Sequence, residues 1–261
     1  MIDGFLDTCS LIADLAQNDF SSKYAGSFLG RIWAFIQPLV LIVIYWIVFQ
    51  YGLRIKMNDE SVPYVIWFMT GMVPWLFFSE CLGAGSNCLK EYDYLVKNVV
   101  FPIYILPIIK VISSLFAHFV YIGVLAVLFA WYNIFLGIHL FEFVYYLLAL
   151  CIYSCAWVLM SSTIVVFFKD FGQIITIIMQ VGMWATPIVW DYHIVPVSSR
   201  WIIECNPMFY IVNGYRTALF GNTGIRFLSF QFCFFWIFTL AFLGVAIIMF
   251  CRLKPHFADV L

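Results

Sequence analysis

From Ile32 to Leu53, Phe143 to Phe168, Phe171 to Trp190 and Phe227 to Cys251, the chain holds not one Asp, Glu, Lys, Arg or His. A helix crosses a hydrocarbon core of about 30 Å with around 20 residues, and apolar runs of that length have few other homes. Two more stretches are as long and nearly as apolar. Six spans are therefore expected, at approximately 33–53, 62–83, 111–132, 143–168, 171–190 and 227–251. Backbone amides in lipid must be satisfied internally, by a helix or a closed barrel. Barrel strands would read as alternating segments of about ten residues, and none is present. The expected fold is an all-α membrane protein. Composition agrees: 10% of the residues are charged, against about 25% in a soluble domain.

Lysine and arginine orient such a chain. With the N-terminus inside, the inner side holds Lys23, Arg31, Lys90, Lys97, Lys110, Lys169, Arg252 and Lys254; the outer holds Arg54, Lys56, Arg200, Arg216 and Arg226. Both termini are therefore expected in the cytoplasm. The opening MIDGFLDTCSLIADL has no basic residue before Lys23, so a cleavable signal peptide is not expected. In the same region Phe5, Cys9, Ile12, Ala13, Ala16 and Phe20 recur at spacings of three and four, with Asp7, Ser10, Asp14, Gln17 and Ser21 opposite. This is the pattern of an amphipathic helix, lying either in the membrane interface or against the protein.

Several chemistries are disfavoured. A net charge of −1 argues against a nucleic-acid partner. No GxxxxGK[ST] run cradles a nucleotide phosphate. The histidines, at 118, 139, 193 and 256, are scattered, and the cysteines, at 9, 81, 88, 151, 155, 205, 233 and 251, include no CxxC pair and read as packing residues. Ion-driven carriers usually hold ionisable groups within their spans, and here the candidates shrink to Glu80 and His118. If this protein moves something uphill, its energy comes from another polypeptide. A place to touch that polypeptide is EYDYLVKNVVFPIYILP, residues 91–107, a polar finger between two spans.

NDFSSKYAGSFLGRIWAFIQPLVLIVIYWIVF, GMVPWLFFSE, LVKNVVFPIYILP, FFKDFGQIITIIMQVGMWATPIVW, NPMFYIVNGYRTALF and RLKPHFADVL follow one another in order. In this series the chain resembles, over nearly its whole length, the membrane subunit of ABC-2 type polysaccharide exporters, the permeases for O-antigen, capsule and teichoic acid. The resemblance implies a six-span permease in a bacterial cytoplasmic membrane, working as a homodimer with two copies of a separate ABC ATPase. ATP and Mg would sit on that partner and no cofactor on this chain. A lipid-linked glycan would pass between the permease halves. The family's coupling helix matches Glu91, Tyr92, Asp93, Tyr94, Leu95 and Lys97, and its outer gate matches 191–226. The implied layout is one domain: an interface helix to residue 31, five spans over 33–190, the gate, the last span at 227–251 and a cytoplasmic tail.

Aromatic residues make up 21% of the chain. In span one Phe35, Trp46 and Phe49 share an approximate face and are candidates for a channel wall, because a ring can stack on the C–H face of a sugar without a fixed hydrogen bond. After Trp190, Pro196 and Pro207 cut the chain into apolar pieces too short to span. Trp201, Ile202, Phe209 and Tyr210 in these pieces are candidate gate residues. Arg216 is expected to cap the second piece at its C-terminal side, where a cation suits the helix dipole. Two alternatives remain open: an ABC-2 permease for a drug or lipid, and a membrane enzyme for lipid-linked sugars. The enzyme would draw its carboxylates from Asp59, Glu60, Asp191 or Glu204.

Overall fold

The computed structural model describes residues 2–23, 28, 30–48, 52, 62–97, 101–134, 139–221 and 229–261; the side chains of 2–9 and of 31, 34, 35, 37, 38 and 46 also lie outside it. Among the described residues every regular element is helical. The long helices are α1 (Ile2–Lys23), α2 (Trp33–Ile47), α3 (Tyr64–Gly85), α6 (Ile105–Trp131), α7 (Leu140–Phe167), α8 (Phe171–Ala185), α10 (Pro207–Phe220) and α11 (Phe230–Leu253). The short ones are α4 (Cys88–Glu91), α5 (Asp93–Val96), α9 (Arg200–Glu204) and α12 (Phe257–Val260).

Four of these, α3, α6, α7 and α11, are long and apolar enough to cross a membrane. They correspond to expected spans two, three, four and six. Expected spans one and five hold α2 and α8, each of 15 residues, or about 22 Å at 1.5 Å per residue. For α8 the reason is local. Pro187 lacks an N–H and pushes the residue before it out of the helical region, and Thr186 is extended, at φ −97 and ψ 133. Beyond Val48 the first expected span lies outside the described residues, Gly52 excepted.

α3 sits at the centre, packed against α6, α7 and α10 and more lightly against α2 and α8. Its sequence, YVIWFMTGMVPWLFFSECLGAG, is apolar around the whole circumference, as a helix enclosed on all sides must be. Around it the rings of Phe68, Phe77, Phe129, Tyr215 and Phe235 are fully buried. Lipid tails are as apolar as these side chains, so close fit rather than escape from water holds such helices together. Small residues permit that fit. Ser161, Ser162 and Thr163 of α7 are buried, and their hydroxyls return to the carbonyls of Val158 and Leu159 one turn back. Gly214 of α10 meets α7 so closely that a Cβ there would lie 2.2 Å from the Tyr146 ring.

A second, smaller cluster closes one end of the bundle. Its buried members include Ala16 of α1, Cys88, Leu89 and Val96 of the α4–α5 segment, Ile109 of α6, Val166 of α7, Phe250 of α11 and Phe257 of α12. The expected tail folds back on the protein here. A 3-10 turn at Lys254–His256 delivers α12 beneath α5, with the Phe257 ring 5.4 Å from Phe250 and 5.9 Å from Phe167.

Candidate functional site

The α4–α5 segment is two single helical turns hinged at Tyr92. The side chains divide between the bundle and the outside: Leu89 and Val96 are buried, Leu95 is half-buried, and Tyr94 is 62% exposed. Asp93 and Lys97 pair across one turn at 3.2 Å, both half-exposed. Tyr92 turns inward, donating its hydroxyl to Asp19 Oδ1 of α1 at 2.8 Å. The same carboxylate accepts from Lys110 Nζ of α6 at 2.7 Å, and Lys110 also reaches Glu91 Oε2 at 2.5 Å. The ammonium lies 5.3 Å from the centre of the Tyr92 ring. A second ion pair joins Lys23 to Glu80. Burial pushes the Asp19 carboxyl up, but hydrogen bonds and charge from Lys110, with Ser113 and Tyr92, outweigh it and hold it below the usual carboxylate range. Burial, then the Asp19 contact, raises the Tyr92 phenol, so it stays a donor.

The six expected coupling residues therefore divide. Tyr94, with Asp93 and Lys97, faces outward; Leu95 packs against the second cluster, and Glu91 and Tyr92 are tied to the bundle. Sequence reading missed Asp19 and Lys110. Lys110 was an available signal, being the one cation inside an otherwise uncharged run from 105 to 131.

At the opposite end the chain between α8 and α10 is stitched to the bundle through backbone carbonyls. Arg216 Nη1 donates to Pro187 O at 2.8 Å and Nη2 to Ile188 O at 3.0 Å, while its guanidinium lies 3.7 Å from the centre of the Trp67 ring. Gly71 makes room for it, since a Cβ there would stand 2.6 Å from Nη2. The expected helix-capping role of Arg216 is thereby corrected. It lies a full turn before the end of α10 and spends its donors on the stretch that Pro187 left without helical partners. Tyr64 gives its hydroxyl to Val189 O at 2.5 Å, and Asn206 caps α10 while donating to Thr186 at 2.9 Å. Phe209 and Tyr210 are buried at 3% and 7%, whereas Trp201 and Ile202 on α9 are 61% and 59% exposed. Tyr192 stacks on Phe209 at 5.0 Å and donates to Glu204; burial and that carboxylate push its phenol up to about 12. Asp191 is engaged by His193. Residues 222–226 of the expected gate lie outside the described residues.

The two 15-residue helices, α2 and α8, carry the remaining candidates. On α8, Gln173, Thr176, Gln180 and Trp184 are exposed and recur at offsets of three, four and four, one face of a helix. Ile175 is the buried residue of α8. Amide side chains facing hydrocarbon cost several kcal/mol unless they find partners, roughly 2–7, so this stripe suits water or a polar ligand. Of the expected wall, Phe35 and Trp46 fall on α2, but their side chains, and all of Phe49, lie outside the described residues. Among the described residues no three of His, Cys, Asp and Glu come together as a metal site, and the described cysteines are unbonded.

These features define an all-helical protein, among the described residues, with four helices long and apolar enough to cross a membrane. The sequence model for ABC-2 type transporters matches residues 11–220, and the chain belongs to that family. It is 25% identical over 215 residues to the O-antigen export system permease protein RfbA of Myxococcus xanthus, covering 81% of each chain. It is 24% identical over 260 residues to the protein of that name from Klebsiella pneumoniae, covering 96% of this chain and 95% of the relative.

Proposed function

We propose that this chain is the membrane subunit of an ATP-driven exporter that carries a lipid-linked cell-surface polysaccharide across the bacterial cytoplasmic membrane. The observation that carries this reading is the end-to-end match to permeases named for O-antigen export. Two features of the chain support it. The exposed Tyr94 turn offers a partner a ring with a hydroxyl, a good anchor at a docking surface. The Gln173–Thr176–Gln180–Trp184 stripe combines amides, a hydroxyl and a ring, the groups that meet a sugar's hydroxyls and C–H face.

In this reading two copies pair with two separate ABC ATPase subunits, which supply ATP and Mg. The α4–α5 segment docks on the ATPase from the cytoplasm, where both termini also lie. α2 and α8 complete six spans and border the path, and 191–226 closes it from outside. α1 lies along the inner membrane interface. The enzyme alternative draws no support from Asp191 or Glu204, whose carboxylates serve His193 and Tyr192. The test is reconstitution with the candidate ATPase in vesicles loaded with lipid-linked glycan. ATP-dependent delivery is expected, and it should fail when Tyr94→Asp abolishes ATPase binding. Normal delivery by Tyr94→Asp would remove the docking assignment, and ATP-independent processing of the glycan by the purified chain would replace transport with catalysis.

A further inference from the structure

α1 meets the rest of the protein through two kinds of contact. Ile12, Leu15 and Ala16 lie against the second cluster, a contact that tolerates sliding. Its last turns are held by charge. Lys110, only 5% exposed, divides one ammonium between Asp19 of α1 and Glu91 of α4, and Tyr92 donates to the same Asp19 oxygen as Lys110. Four polar groups from three elements thus meet at one point.

Such a buried arrangement is weak evidence for stability, because desolvation offsets most of the attraction. Its effect is geometric. A cation shared between two carboxylates fixes the distance and angle between the helices that bear them. α2 begins at Trp33, soon after α1 ends at Lys23, and α2 packs only lightly on the bundle. α1 itself lies along α6, the helix that bears Lys110, so the lock ties three helices at the end of the chain that leads into α2.

We propose that Lys110 is a positioning residue that locks α1 to the α4–α5 segment, so that a partner moving that segment also moves α1 and, through it, α2. The functional half of this inference rests on the reading of α4–α5 as the ATPase-docking element; the lock itself does not.

Cutting either arm separately leaves Lys110 paired to the other carboxylate, which protects folding. In reconstituted complexes, Asp19→Asn, which lies outside the docking segment, is expected to leave ATPase binding and ATP hydrolysis in place while glycan delivered per ATP falls about tenfold, a typical size for coupling between sites. Asp19→Glu, which keeps the charge, should recover part of the loss. An unchanged ratio in Asp19→Asn, or delivery and hydrolysis falling in proportion, overturns the proposal. Spin labels at positions 14 and 94 of the purified chain, native cysteines replaced, test the lock without any partner. Wild type should give one narrow distance distribution, broadened in Asp19→Asn and Glu91→Gln. Equal widths overturn the lock, whatever the complex carries. A wild-type complex that delivers no glycan while the distances respond as expected sinks the proposed function alone.

Discussion

The two ends of the bundle solve one problem, holding a short non-spanning segment against spanning helices, by different means. At the α4–α5 end the ties are between opposite charges on side chains: Lys110 with Asp19 and Glu91, Lys23 with Glu80. At the α9–α10 end they run from side chains to backbone carbonyls, with Arg216 stacked on Trp67 and no acid among its hydrogen-bond partners. Charge pairs can be exchanged between partners when elements move. Carbonyl ties need the loop in one shape. The first kind of tie suits a displacement that is passed on, the second a segment kept in one shape.

A graded series of substitutions would break or sharpen this contrast. Lys110→Met should be the most damaging, costing about 3–5 kcal/mol by leaving Asp19 buried without a cation, read as a fall in Tm of the purified chain. Adding Asp19→Asn should restore much of the loss. The pair also carries a pH signature. Because the folded state holds the Asp19 carboxyl low, its contribution is complete above the unfolded value and is lost as pH falls through the lowered one. The Tm difference between wild type and Asp19→Asn should therefore be full at neutral pH and vanish only below about 4.

Arg216→Met should cost about 3 kcal/mol, since two buried carbonyls lose a charged donor. No exchange of an acid should rescue it, and a rescue would erase the difference between the ends. Arg216→Lys should recover only part, because an ammonium cannot both fork to Pro187 and Ile188 and lie flat on Trp67. Gly214→Ala should follow at about 2 kcal/mol from overpacking against Tyr146, visible in the same melt. Smallest of all, Lys97→Ala should change stability by less than about 0.5 kcal/mol, because its pair with Asp93 is half in solvent. A larger effect would mean that the outward face of α5 helps hold the bundle.

How far these features could be read in advance depended on range. Spans two, three, four and six fell within a few residues of α3, α6, α7 and α11, because an uncharged run of that length permits little else. The break before α10 was visible in Pro207. The shortness of α8 was signalled by Pro187, but a hydropathy run passes over a single proline. Tyr92 and Tyr94 are indistinguishable by residue type, and only the folded turn sends one to Asp19 and the other outward. Asp19 and Lys110 stand 91 positions apart, beyond any local pattern, and Lys110 served the reading only as a marker of sidedness. Arg216 was given the wrong task for the same reason, its carbonyl partners lying 28 and 29 residues upstream.

The placement of Phe257 under α5 makes an early segment depend on a late one for part of its support. α4 and α5 leave the ribosome early, followed by most of the bundle, yet the floor they rest on is laid only when residue 257 has emerged. A nascent chain stalled or cut before that point would carry the right contact residues on an unsupported turn. Val96 and Phe257 belong to one buried cluster, so the shape of an early turn answers to residues made long after it.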